Sequence, residues 1–169
     1  MQLILIDTSG WIVSSRVDYH LVKGEMAAFE FHHQTLKPWS RDPGFYSFRS
    51  GDAGASMNVE HLMRPLYDIE VPLSEKKQDD IKTLLEIVPE IFSQARKNLT
   101  NGSYDLAELA IRNGKNEAEI FLRIADDLGG HHPALSADAE RAAKEIIRFG
   151  DWLVGKKHTM EKLAGSGKE

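Results

Sequence analysis

The sequence contains no cysteine. That removes thiolate metal sites, a cysteine nucleophile and any disulfide framework. It also lacks a basic block. Its 21 Lys and Arg are interspersed among 26 Asp and Glu, for a formal net charge of -5. The longest basic cluster is Lys156-Lys157-His158. Nucleic acid and anionic membrane surfaces both call for concentrated positive charge, so neither is an expected partner. No long hydrophobic run is present. The apolar start, Met1 to Ile6, is too short for a membrane span or a signal-peptide core, and no basic lead precedes it. Sustained two-residue alternation rich in β-branched residues is missing as well, and so is any internal repeat.

What is present is globular composition: 169 residues, 41% hydrophobic and 28% charged. A chain of this length buries roughly two-thirds of its unfolded surface, enough to fold as one domain or subdomain without staples. Helical periodicity dominates. From Ser9 to about Gln34, Ile12, Tyr19, Val22, Met26 and Phe29 fall on one stripe, and Val13, Val17, Leu21 and Ala28 form a second apolar flank. A helix apolar on so much of its circumference calls for neighbours on more than one side. Residues 37–56 are set apart by Pro38, Pro43 and Gly44, then by Gly and Ser, and predict an irregular aromatic loop without regular helix. Met57 to Leu66 could form a short helix.

Ser74 is suited to cap the next helix, whose inner face is Ile81, Leu84, Leu85, Val88, Phe92, Ala95 and Leu99. Pro89 predicts a kink or a break in it. Asn101-Gly102 supplies a stop. Ser103 is suited to cap a further helix carrying Leu106, Leu109, Ala110, Phe121, Ile124 and Leu128, with a weak point or a division at Gly114. After Gly129-Gly130 and Pro133, Ser136 is expected to cap the last helix, which turns Ala139, Ala142, Ala143, Ile146, Leu153, Met160 and Leu163 inward. The expected fold is all-α, an irregular bundle of about five main helices. Residues 165–169 read as a flexible tail.

Chemistry-bearing motifs are scarce. No H-E-x-x-H occurs, and no His has a second His four residues on, so no helix face offers two imidazoles to one ion. His32-His33 and His131-His132 are adjacent pairs, whose side chains diverge on a helix, and read as surface or capping residues. Asp79-Asp80 and Asp126-Asp127 read as solvated faces. A nucleophile elbow of the form G-x-S-x-G is absent. Gly165-Ser166-Gly167-Lys168 departs from a phosphate loop, since Lys162 stands where the first Gly belongs and Glu169 where Ser or Thr does. Asn98-Leu99-Thr100 and Asn101-Gly102-Ser103 match the glycosylation pattern but are also read as a helix-end turn. The most distinctive segment is Trp39 to Tyr46. There Trp39, Arg41 and Tyr46 could line a substrate groove, with Arg41 receiving a carboxylate, or anchor the loop to the core. No catalytic residue, metal ligand or cofactor site is assigned in this chain.

The segments Val17-Asp18-Tyr19-His20-Leu21-Val22, Glu25-Met26, Pro38-Trp39-Ser40-Arg41-Asp42-Pro43 and Tyr46 resemble the N-terminal part of the bacterial family called domain of unknown function 885. The resemblance continues through Val71-Pro72-Leu73, Ile87-Val88-Pro89, Ala95-Arg96, Asn98-Leu99, Phe149 and Asp151-Trp152-Leu153. It implies a helical protein of several hundred residues related to gluzincin-type zinc metallopeptidases. In these an H-E-x-x-x-P-G-H-H-like segment downstream supplies the metal site. The resemblance therefore implies zinc in the full-length family, no ligand here, and a partner in the missing C-terminal half. The chain would be an N-terminal piece that walls the cleft and is inactive alone. The alternative is a free-standing helical interaction module that forms a homodimer. Cytoplasm and periplasm both remain open.

Overall fold

A computed structural model describes residues 6–48, 66 and 69–162. Among these, every regular element is helical, and the only pairing of extended backbone is an isolated bridge between Ser103 and Glu161. The all-α expectation stands. The Met57 to Leu66 helix, apart from Leu66 itself, and the 165–169 tail lie outside the described residues. The chain divides into two compact units, Met1–Pro38 and Trp39–Glu169.

The first unit is built on α1, Val13–Phe31. The helix runs into a π-helical turn, His32–Leu36, closed by Lys37 N–H donating to the His32 carbonyl at 2.9 Å. Lys37 then takes a left-handed backbone, φ 44°, and ends the helical path. Among the described residues of α1, Tyr19 is the one that is buried, covered by Trp11, by His20 and by Lys23 over the ring. Both apolar stripes read from the sequence exist, and both are largely exposed.

The second unit is three long helices with a structured loop. Helix α2 is a single turn, Pro38–Arg41, followed by a 3-10 turn at Pro43–Tyr46. The sequence predicts no regular helix here. Two short helical turns form because each proline opens its turn, where its missing N–H has no partner to lose and its fixed φ suits the helix.

Helix α3 is Glu75–Asn98, α4 is Tyr104–Gly129 and α5 is Pro133–Lys156. Helix α5 packs along α4 and also against α3. The predicted inner faces become the core: Ile81, Leu85, Val88, Phe92 and Ala95 from α3, Phe121, Ile124 and Leu128 from α4, and Ala139, Ala142, Ala143, Ile146 and Leu153 from α5 are all buried. Arg96 ties α3 to α5, lying 3.6 Å from Glu145 and 5.9 Å from the Phe149 ring centre.

Three local expectations change. Of the kink or break expected at Pro89, the break is not found: helix α3 runs on through it, with Leu85, Val88 and Phe92 burying a common face on both sides. Helix α5 starts at Pro133, not after Ser136, whose hydroxyl donates to the Ala125 carbonyl on α4 at 2.8 Å. Ser103 does occupy the N-cap position of α4, but its hydroxyl caps nothing and is buried without a partner.

Helix α4 also passes Gly114 uninterrupted. A Cβ added there would lie 3.8 Å from Ile146 Cγ2, an ordinary contact. Glycine in a helix interior costs roughly 0.5–1 kcal/mol relative to alanine. Gly114→Ala should therefore raise stability by about that amount. Urea unfolding showing a loss of stability would mean that the site has less room than this geometry gives.

Candidate functional site

The Trp39–Tyr46 segment folds back on itself through short-range hydrogen bonds. Asp42 Oδ1 accepts from Gly44 N–H at 2.7 Å, and its carbonyl accepts from Phe45 N–H at 3.0 Å. Trp39 meets Phe45 edge-on at 6.5 Å, and Phe45 meets Tyr46 edge-on at 5.2 Å. Tyr46 is 2% exposed, and its hydroxyl donates to the Trp39 carbonyl at 2.8 Å while accepting from Asn98 Nδ2 at 3.0 Å. Burial holds the Tyr46 phenol above its ordinary pKa, with the Asn98 donation opposing.

The loop is then stitched to the turn between α3 and α4. Asn101 N–H donates to the Ser40 carbonyl at 2.9 Å, and Ser103 N–H donates to the Arg41 carbonyl at 3.2 Å. Of the three residues singled out in the sequence, Tyr46 is buried at the loop's centre, while Trp39 and Arg41 are half-buried. Arg41 forms no salt bridge among the described residues. Asn98, the first glycosylation match, spends its amide on Tyr46.

Beneath the loop lies a cavity of about 50 Å³, lined by Asp42, Ser47, Phe92, Asn113, Glu117 and Phe149 among others. It has room for a few waters and is far smaller than the roughly 300 Å³ at which organic-ligand sites begin. Its two carboxylates are buried: Asp42 is 9% and Glu117 3% exposed. Glu117 accepts from the Ser47 hydroxyl. Neither carboxylate was singled out in the sequence. The available signal was the helical spacing of Asn113 and Glu117, four apart, which places two polar residues together on one side of α4.

Burial pushes the Asp42 carboxyl above its usual 3.8, against the opposing Gly44 N–H. The folded chain then binds a proton at a pH where the unfolded chain has lost it. Stability from this group is lost as pH rises from 3.8 through the raised value, and recovered as pH falls. Asp42→Asn keeps an acceptor for Gly44 and removes the titration. Its stability advantage over the parent should be greatest near pH 7 and shrink toward pH 4. Parallel denaturation curves across that range would exclude this role.

The remaining candidates stay apart. His32, His33 and His131 are exposed, as are Asp79, Asp80, Asp126 and Asp127. His132 Nε2 accepts from Leu73 N–H at 2.8 Å, which spends the imidazole on backbone. Among the described residues, no group of three His, Asp or Glu could hold a metal ion. No described helix is long and apolar enough to cross a membrane. Comparison with family models, with curated proteins and with solved structures gives no match.

Proposed function

We propose that this chain is the non-catalytic helical portion of a zinc-peptidase-like protein, in which the Trp39–Tyr46 loop walls the substrate groove and Arg41 receives a substrate carboxylate. The resemblance to the domain of unknown function 885 family supplies the peptidase class. The observation that carries the role of this chain is the loop itself. It is held by the Tyr46 hydroxyl and by backbone bonds to the α3–α4 turn, while Arg41 beside Trp39 makes no salt bridge among the described residues. A fixed backbone presenting a guanidinium with no salt bridge among the described residues suits bidentate recognition of a carboxylate. No group of three His, Asp or Glu among the described residues could hold zinc, and the resemblance implies that the ion and its base lie in a downstream segment.

Reading the coding DNA beyond Glu169 tests this. An in-frame continuation with an H-E-x-x-x-P-G-H-H-like segment is expected, and a stop codon directly after Glu169 overturns the reading. In the longer protein, Arg41→Ala should raise KM for peptides with a free C-terminal carboxylate about tenfold, with kcat nearly unchanged, as for a lost charge-assisted hydrogen bond.

A second reading has its own support. Helix α1 exposes Ile12, Val13, Val17, Leu21, Val22, Phe29 and Phe31, more apolar surface than a lone helix keeps in water. That favours a module that associates with itself, and light scattering over a range of concentrations reads it directly.

A further inference from the structure

Helix α1 has a two-sided distribution of charge that its apolar stripes alone do not reveal. Each residue advances about 100° around the axis. Val13, Val17, Leu21, Gly24, Ala28 and Phe31 then fall on one side. All six are exposed, with Val13 66%, Val17 51%, Leu21 63% and Phe31 51% accessible. One edge of this stripe carries Asp18 and Glu25, and the opposite edge carries Arg16, His20 and Lys23, with Glu30 beside Lys23 at its C-terminal end. From Arg16 to Glu25 the edges are complementary to each other and not to themselves.

Orientation follows from this arrangement. When two copies of such a helix pair in parallel about a two-fold axis, the acidic edge of each faces the basic edge of its partner on both sides of the seam. Arg16 and Asp18, like Lys23 and Glu25, differ by two positions, so they lie about 3 Å apart in level along the axis, within reach of long side chains. Antiparallel pairing sets acidic edge against acidic edge and basic against basic. We propose that α1 is a parallel homodimer seam between two copies of this chain. The proposal rests on the self-association reading and adds its surface, partner and direction.

The area is adequate for a weak dimer. Pairing a 19-residue helix along its length buries on the order of 500 Å² per copy, so the total lies near the roughly 1,000 Å² at which specific interfaces begin. Dissociation in the micromolar range is the expectation, on the order of 10 µM, because ordering costs absorb much of so small an interface. The small Gly24 and Ala28 on the stripe let the two backbones approach, and nothing lies within 4 Å of a Cβ added at Gly24.

The cysteine-free sequence makes the test clean, since one introduced thiol is the only thiol. Val13 and Phe31 lie on the same side of α1, about five turns apart, near opposite ends. Val13→Cys and Phe31→Cys, each in the full chain, are oxidised separately and as a mixture. The parallel seam predicts homodimers linked 13 to 13 and 31 to 31. Mixed 13-to-31 dimers formed in preference would overturn the parallel seam and leave self-association standing. A chain that stays monomeric in light scattering up to hundreds of micromolar overturns both. Val17→Glu, at an exposed position, should leave helical content unchanged and weaken dimerisation at least tenfold. Dimerisation unaffected by it would place the interface elsewhere.

Discussion

Phe92→Ala should lower the unfolding free energy by about 3–5 kcal/mol, the largest single-residue loss expected in the chain. Phe92 is 2% exposed at the meeting point of the loop and the three long helices. Its ring meets Phe48 edge-on at 5.7 Å and Phe149 in a tilted contact at 4.7 Å, and Phe48 continues the chain of rings to Phe121. Truncation removes two of these contacts at once, each worth about 0.5–1.5 kcal/mol beyond area burial. It also opens space beside a void, because Phe92 already lines the cavity of about 50 Å³ under the loop. The cost of a large-to-small change grows with the cavity left behind, by roughly 24 cal/mol per Å³, so the upper half of the range is expected. Denaturant unfolding with an unchanged m value and a lower midpoint is the signature. A loss under about 1.5 kcal/mol would mean that the loop collapses into the space, and that the ring cluster does not hold it open.

The inner faces of α3, α4 and α5 were legible because apolar spacing reports burial wherever a helix has one core side. Residues such as Ile81, Leu85, Phe121 and Ile146 were placed correctly without any knowledge of their partners. Local breakers left alternatives open in the sequence, a kink or a break at Pro89 and a weak point or a division at Gly114. Pro89 and Gly114 are penalties of the isolated helix, and burial on either side of each outweighs a local cost of a few kcal/mol or less. Pro38 and Pro43 show the converse: the same residue type that forbids a helix interior starts a turn. Capping was ambiguous for a related reason. Ser103 and Ser136 both had the right residue type, but only packing decides whether a hydroxyl turns to its own helix, to a neighbouring carbonyl or to nothing.

Periodicity on α1 correctly gave two apolar stripes, yet spacing carries no information on whether a stripe is covered within the chain. Glu117 escaped notice because a glutamate on a helix is ordinarily solvated, and its burial depends on Ser47, seventy positions away. Asp42 escaped because an aspartate before proline in a loop is ordinarily solvated, and its burial comes only with the fold. Its role in capping the 3-10 turn follows from the backbone path alone.

Ala142→Leu should be the second large effect, a loss of about 3 kcal/mol or more, at the upper end of what overpacking costs. The buried faces of α4 and α5, which pack along each other, carry small side chains: Ala107, Ala118 and Ala125 on one helix, and Ala139, Ala142 and Ala143 on the other, the last three fully inaccessible. Helices joined through alanine approach to the short end of the usual 8–10 Å axial separation. A leucine there brings three further carbons into a space that holds none. The helices must part, or the side chain must leave its staggered rotamers. Separation would also strain the Ser136 hydroxyl bond to Ala125 and loosen the hold of Arg96 on Glu145, both of which depend on where α5 lies. Ile147, on the same helix but 47% exposed, is the control: Ile147→Ala should change stability by no more than about 0.5 kcal/mol. If Ala142→Leu proved as mild as Ile147→Ala, the close approach of α4 and α5 would be wrong, and with it the rigid platform on which the Trp39–Tyr46 loop is held.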